Sequence, residues 1–328
     1  MDKLLMELSD SFGPSGHEQE ITELIKDKIM DYCDEVKKDK LGNLIAIKKG
    51  KTDKKIMYAA HADEIGVLVT YIDENGFIRF TNIGGLSPYL LLGHKVKLQS
   101  NVTGVIGCER ITDITKLSLE KMYIDIGANT KEEAEELVNI GDVGTFYPYF
   151  EVKPNHYIGK ALDDRAGCAV LISAIKEIED PEHNLYFVFT TQEEVGLRGA
   201  ITASYSINPD MGIAVDVTGV GDTPKARRMA VSLGKGPAIK VKDNSIMVNP
   251  MVKDMLVKKA KDNGIPYQLE VLEFGGTDSG AIHLSREGAW AGVISLPCRY
   301  IHTNNEMISK NDIENAVKLL KLTVDFDF

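Results

Sequence analysis

Cysteine is sparse in this chain: Cys33, Cys108, Cys168 and Cys298 lie far apart, with no C-x-x-C spacing. That excludes a zinc ribbon and a thioredoxin-like motif, and it fits reduced thiols in a cytoplasmic protein. Long apolar runs are missing too. None approaches the roughly 18 residues that span a bilayer, so no membrane partner is expected. The N-terminus, Met1-Asp2-Lys3-Leu4-Leu5-Met6-Glu7, is charged at every turn and does not read as a signal peptide. Basic residues are in deficit, 38 Lys and Arg against 49 Asp and Glu for a net charge of −11, which argues against nucleic acid. Several catalytic motifs are absent. There is no G-x-S-x-G elbow for a serine hydrolase. His17-Glu18 opens an H-E-x-x-H zinc helix, but position 21 is Ile. Gly219-Val220-Gly221 lacks the third glycine and the following helix of a dinucleotide fold.

The 328 residues exceed what one hydrophobic core usually supports, so two domains are expected. Leu4, Leu5 and Leu8, then Ile21, Leu24, Ile25 and Ile29, recur at helical intervals, with a turn at Phe12-Gly13-Pro14-Ser15-Gly16 between them. A hairpin-like stretch, 41–47, leads into the apolar run 56–60. From about residue 66 to 155 short alternating runs such as His94-Lys95-Val96-Lys97-Leu98-Gln99 argue half-buried antiparallel strands in a small barrel or sandwich. One helix-like piece, 130–138, interrupts them. The segment 66–155 reads as an insertion whose ends lie close together, splitting a larger α/β domain into 1–65 and 156–328. After residue 155 buried-looking strands alternate with helices, the signature of a sheet covered on both faces. Asn249, Pro250 and Gly264 punctuate a helix over 249–263, and a last helix is expected over 310–324.

Ligand-type side chains stand at the ends of the apolar runs. His61 and Asp63 follow Ile56-Met57-Tyr58-Ala59-Ala60, and Glu193-Glu194 follow Leu185 to Thr190. Asp216 follows Gly212-Ile213-Ala214-Val215, and His302 follows the runs 293–296 and 298–301. Asp163-Asp164 open a helical stretch. Ligands at the carboxyl ends of several strands converge on one crevice of an open α/β sheet. Mixed histidine and carboxylate donors suit zinc, cobalt or manganese. Two divalent ions about 3.5–4 Å apart can clamp a water and polarise a carbonyl together, which needs one bridging carboxylate. Asp163 is the bridging candidate, with His61 and Asp216 completing one ion and Glu194 and His302 the other. Neighbouring side chains of an extended chain face opposite ways. Only one of Glu193 and Glu194 need therefore ligate an ion, and the other is free to take a proton from the water and deliver it to the leaving amine. Asp63, two residues past His61, would accept a hydrogen bond from the ring nitrogen that holds no metal.

The ordinary alternatives are a solvated acidic turn for each carboxylate pair and a helix N-cap for Asp164. An unpaired polar group at the end of a buried strand is costly, which disfavours the first. His17, His94, His156 and His183 read as surface or internally satisfied residues. His283 follows the loop Gly275-Gly276-Thr277-Asp278-Ser279-Gly280 and stays open.

Seven segments occur in order along nearly the whole chain. They are Pro14-Ser15-Gly16-His17-Glu18, His61-Ala62-Asp63-Glu64-Ile65-Gly66, 161–167 around Asp163-Asp164, 192–200 around Glu193-Glu194, Asp216-Val217-Thr218, 275–283, and Arg299-Tyr300-Ile301-His302-Thr303. Together they resemble the M42 metallo-aminopeptidases, tetrahedral and glutamyl aminopeptidase-like enzymes. The resemblance implies an α/β fold, an aminopeptidase-type mixed sheet flanked by helices, with a small β-rich PDZ-like dimerisation domain inserted. It also implies two zinc or cobalt ions per subunit on the ligands named above, Glu193 as base, and short peptides as substrates. Family members assemble as dimers and as tetrahedral dodecamers, so a homo-oligomer is expected. Relatives have also been labelled endoglucanases, which leaves a metal-independent glycosidase as one alternative and an inactive, metal-stabilised assembly protein as another. An enzyme for acidic N-terminal residues would need a basic group in its pocket, and Arg165, Arg198, Arg228 and Arg299 are all unassigned.

Overall fold

The apolar runs form the middle of an 11-stranded sheet in the computed structural model, which describes residues 1–326. Asn184–Thr190, Lys55–His61, Met211–Thr218 and Trp290–Arg299 lie side by side and parallel. Every residue of Met211–Thr218 is buried, and in Lys55–His61 only the first is not. Continuous burial is what a strand covered on both faces requires, and it explains why these runs do not alternate. The hairpin Glu35–Lys38 and Leu44–Lys48 extends one side of the sheet. On the other side, Glu306–Ser309, His156–Gly159 and Phe150–Val152 add antiparallel strands.

Two groups of helices pack on the parallel core. Leu162–Glu177 rests on Lys55–His61 and Met211–Thr218 and also meets Lys310–Lys321, Asp2–Asp10 and Gln19–Ile29. Arg198–Ile207 and the short helix Asp278–Ile282 pack on each other and touch the same strand Lys55–His61. In Gln19–Ile29 the buried residues Ile21, Ile25 and Ile29 follow the helical repeat. Asn249 caps Pro250–Asp262 by accepting the Met251 amide at 2.9 Å, with proline in the first turn. The last helix, Lys310–Lys321, stops short of residue 324, because the Leu322 and Thr323 amides turn back to Leu319 and Leu320.

From Gly66 the chain leaves the large sheet for a closed antiparallel barrel. Its strands run in the order Gly66–Ile72, Ile78–Ile83, Met122–Asp125, Thr103–Cys108, Lys95–Leu98, Val143–Phe146. In Lys95–Leu98 the alternation puts Val96 and Leu98 inside. These residues belong to a core of their own with Ile72, Ile78, Ile106 and Ile124, separate from the main core. The expected helix over 130–138 is only Lys131–Glu135, capped by Thr130 on the Glu133 amide at 3.2 Å. Among the described residues no helix is long and apolar enough to cross a membrane.

Candidate metal centre

The four parallel strands end on one cleft of about 790 Å³. His61 closes its strand opposite Thr190. Asp216 lies near the end of the neighbouring strand, opposite Ser295. His302 stands just beyond Arg299. Glu193 and Glu194 follow Thr190 in a tight turn, in which the Gly196 and Leu197 amides return to the Glu193 carbonyl. The expectation that strand alternation separates these glutamates is therefore corrected: the turn, not an extended chain, sets their directions.

Asp163 sits where the expected bridge would be. Its Oδ1 lies 3.0 Å from His61 Nε2 and its Oδ2 3.3 Å from His302 Nε2. His302 Nε2 is also 3.2 Å from Glu194 Oε2, and His61 Nε2 is 3.9 Å from Asp216 Oδ1. Donor atoms of His61, Asp163 and Glu194 all fall within 4.8 Å of one another, and so do those of His61, Asp164 and Asp216. His61 thus belongs to both groups. All five ligand candidates from the sequence meet here, and Glu193 lines the same cleft. His283 does not join them: it follows the helix Asp278–Ile282, and its Nδ1 bonds the Ser279 carbonyl at 3.1 Å.

The electrostatics suit cations. Two imidazoles face the buried carboxylates of Asp163, Asp164, Glu194 and Asp216, and Glu194 Oε1 is buried with no hydrogen-bond partner among the described residues. Burial lowers the His302 pKa, but Asp163 and Glu194 outweigh it and carry the ring up to about 12. Burial likewise pushes the Glu193 and Asp216 carboxyls well above the usual carboxylate range. His61 opposes the shift, while Asp278 and Asp216 reinforce it at Glu193 and Asp163 reinforces it at Asp216. So much negative charge in one dry crevice is stable only with positive partners. The residues present fit divalent ions.

The supporting groups are the part sequence reasoning missed. Glu306, fully buried, accepts the Asp163 amide on Oε2 at 2.9 Å and the His302 amide on Oε1 at 2.8 Å. One carboxylate thereby ties together the backbones of two candidate ligands. Asp63 was expected to receive the His61 ring. Instead Nδ1 lies 3.2 Å from the Asp63 carbonyl oxygen and 3.6 Å from its carboxylate. The strand ends at His61 and the chain turns, so the carboxylate, besides that 3.6 Å approach to the ring, accepts the Glu193 and Glu194 amides at 3.0 and 3.2 Å and the Ser15 hydroxyl at 2.6 Å. Asp164 accepts the His61 amide at 3.3 Å and the Gly167 amide at 3.0 Å, which caps the regular part of its helix. A Cβ on Gly167 would lie 2.3 Å from Asp164 Oδ2, so only glycine fits there. The barrel reaches the centre as well. In the loop after Ile78–Ile83, a Cβ on Gly85 would lie 2.7 Å from His302 Nδ1.

Residues 42–319 match the family model of the M42 glutamyl aminopeptidases. The chain belongs to the M42 peptidase family. This M42 chain is 54% identical over 321 residues to a protein of Acetivibrio thermocellus named provisionally as an aminopeptidase, covering 98% of this chain and 97% of that one. Its fold matches an aminopeptidase from the archaeon Desulfurococcus kamchatkensis with a TM-score of 0.95 and 37% identity, over 99% of this chain and 94% of the other. It also matches the Pyrococcus horikoshii TET1 peptidase, which can assemble into a tetrahedron or a large octahedral shell. There the TM-score is 0.89 at 34% identity, covering 98% of each chain.

Proposed function

We propose that this M42 chain is a dinuclear-metal aminopeptidase that removes N-terminal residues from short peptides, with Glu193 as the general base. The observation that carries the reading is Asp163, whose two carboxylate oxygens face two different histidines. Bound at His61, Asp163, Glu194, Asp216 and His302, two zinc or cobalt ions would supply Lewis acidity toward the scissile carbonyl and balance the buried carboxylates.

The chain's own residues do the rest. The Glu193 carboxylate lines the cleft with no hydrogen bond or ion pair to the described residues, so it is free to take a proton. It accepts one from the attacking water as the water oxygen bonds to the carbonyl carbon. It returns that proton to the amide nitrogen as the C–N bond breaks, releasing an amino acid and a peptide one residue shorter. Asp63 holds the main chain under Glu193 and Glu194, and Glu306 holds it under Asp163 and His302. Asp164 acts as a positioning residue, because both its oxygens are occupied by backbone amides.

The division that fits this chemistry is a catalytic unit of 1–65 and 156–328, with 66–155 inserted for subunit assembly. Dimers building a closed cytoplasmic shell would admit short peptides only; the TET1 relative can assemble into a tetrahedron or a large octahedral shell. The test is hydrolysis of aminoacyl substrates by the metal-loaded protein, with N-terminally acetylated peptides as controls. Equal cleavage of free and blocked peptides would end the aminopeptidase reading.

A further inference from the structure

Apart from the candidate ligands and Glu193, the described walls of the cleft beside the candidate metal centre hold no uncommitted charge with which to bind a charged side chain. Of the four arginines left open by the sequence, Arg165 is fully buried, donating to the Ser11 carbonyl at 3.2 Å and facing Glu64 at 3.4 Å. Arg198 bonds Gln192 at 3.1 Å, and neither it nor the exposed Arg228 lines the cleft. Only Arg299 does, and its charge is answered. Its Nε and Nη2 each meet a different oxygen of Asp222 at 3.0 Å, a two-pronged pair with the best geometry an arginine can make. The carboxylates in the walls are Asp163, Glu193, Glu194 and Asp216, all within the candidate metal centre. Thr218 spends its hydroxyl on Glu270 at 2.6 Å. What remains is mostly apolar, Leu197, Val217, Val220, Leu272, Phe274 and Ile301, with Thr223 and Tyr300 adding neutral hydroxyls and no charge.

Resting on the aminopeptidase reading, we propose that this cleft selects peptides whose N-terminal side chain is neutral and apolar, aliphatic or aromatic, and rejects glutamyl and lysyl termini alike. A charged side chain entering these walls sheds its water and finds no opposite charge to replace it. An apolar one loses nothing. The same logic makes Asp222 a specificity-determining residue, since it withdraws Arg299 from use by an acidic substrate. Arg227 lies outside the walls, its guanidinium 5.0 Å from the centre of the Phe274 ring.

The experiment compares leucyl, phenylalanyl, glutamyl and lysyl p-nitroanilides on the full-length, cobalt- or zinc-loaded protein. The expected kcat/KM for the leucyl and phenylalanyl substrates is at least about tenfold above that for the other two, within the range one pocket can enforce. A glutamyl or lysyl substrate that equals or exceeds them overturns the proposal while leaving the aminopeptidase reading intact. Turnover of none of the four overturns both. Asp222→Asn should free Arg299 and raise the glutamyl-to-leucyl ratio about tenfold. Val220→Asp, at a partly exposed wall position that tolerates a carboxylate, should raise the lysyl-to-leucyl ratio. Unchanged ratios in folded variants would remove these walls from the specificity pocket.

Discussion

At the scale of single residues, two carboxylates, Glu193 beside His61 and Glu306 beside His302, are separable by experiment. Glu193→Gln keeps the shape of the side chain and loses the base. Turnover is expected to fall by about 10²–10⁴ with metal content unchanged, read by steady-state kinetics beside elemental analysis. Near wild-type turnover would rule Glu193 out as the base. Glu306→Gln acts differently. An amide offers only one acceptor oxygen, so one of the two ligand-bearing amides, Asp163 or His302, would meet an NH₂ group instead. Metal affinity should weaken by about 10–100-fold, with activity recovered when cobalt or zinc is added in excess. Wild-type metal affinity in that variant would show that Glu306 does not position the ligands. Most ligand candidates were legible because they are polar groups following apolar runs, a pattern expensive to keep without a purpose, and Asp163 because it stands at the entry to a helical stretch. Glu306 was not. It sits 143 residues from Asp163 in sequence, and its value lies wholly in two backbone amides that only the fold brings to it. Ser15 and the true partners of Asp63 were hidden for the same reason.

At the scale of elements, the seam between barrel and sheet is built around Glu64. Its carboxylate receives Lys160 at 2.9 and 2.8 Å, the Gly13 amide at 3.1 Å, and the hydroxyl of Thr145 from the barrel strand at 2.5 Å. Lys160 and Arg165 are both fully buried. Glu64→Gln would leave those two cations without an ionised partner, and the expected cost is about 3–5 kcal/mol of stability, measured by denaturant unfolding. A loss within experimental error would mean that the ammonium and guanidinium are satisfied by carbonyls alone. The parallel strands and the barrel strands could be told apart in the sequence, since full burial removes alternation and half burial imposes it. The closing of the barrel could not be read, because strand order depends on pairings such as Val67 with Gly144 that no local pattern records. Helix ends moved inward at residues 135 and 321, where short-range turns replace the last helical bonds.

At the scale of the whole molecule, metal removal separates the competing functions. Excess chelator should abolish peptide hydrolysis and lower the unfolding temperature, because ions bound to the native state stabilise it by mass action. Re-adding zinc or cobalt should restore both. A metal-independent glycosidase would keep its activity throughout, and an assembly protein without catalysis would regain stability but show no turnover. The net charge of −11 belongs to the same account. Part of that excess is concentrated in the crevice where the carboxylates gather, and two divalent ions would offset it.

The Gly84-Gly85 loop gives the barrel a stake in the chemistry next door. A Cβ on Gly84 would stand 3.1 Å from the Glu194 side chain, as one on Gly85 would crowd His302. The insert is therefore no interchangeable cassette. Anyone trimming it for a minimal enzyme, or grafting a foreign one to redesign the quaternary architecture, would also be remodelling the rim against which two ligand candidates rest. A chimera would have to reproduce those paired glycines to leave that rim intact.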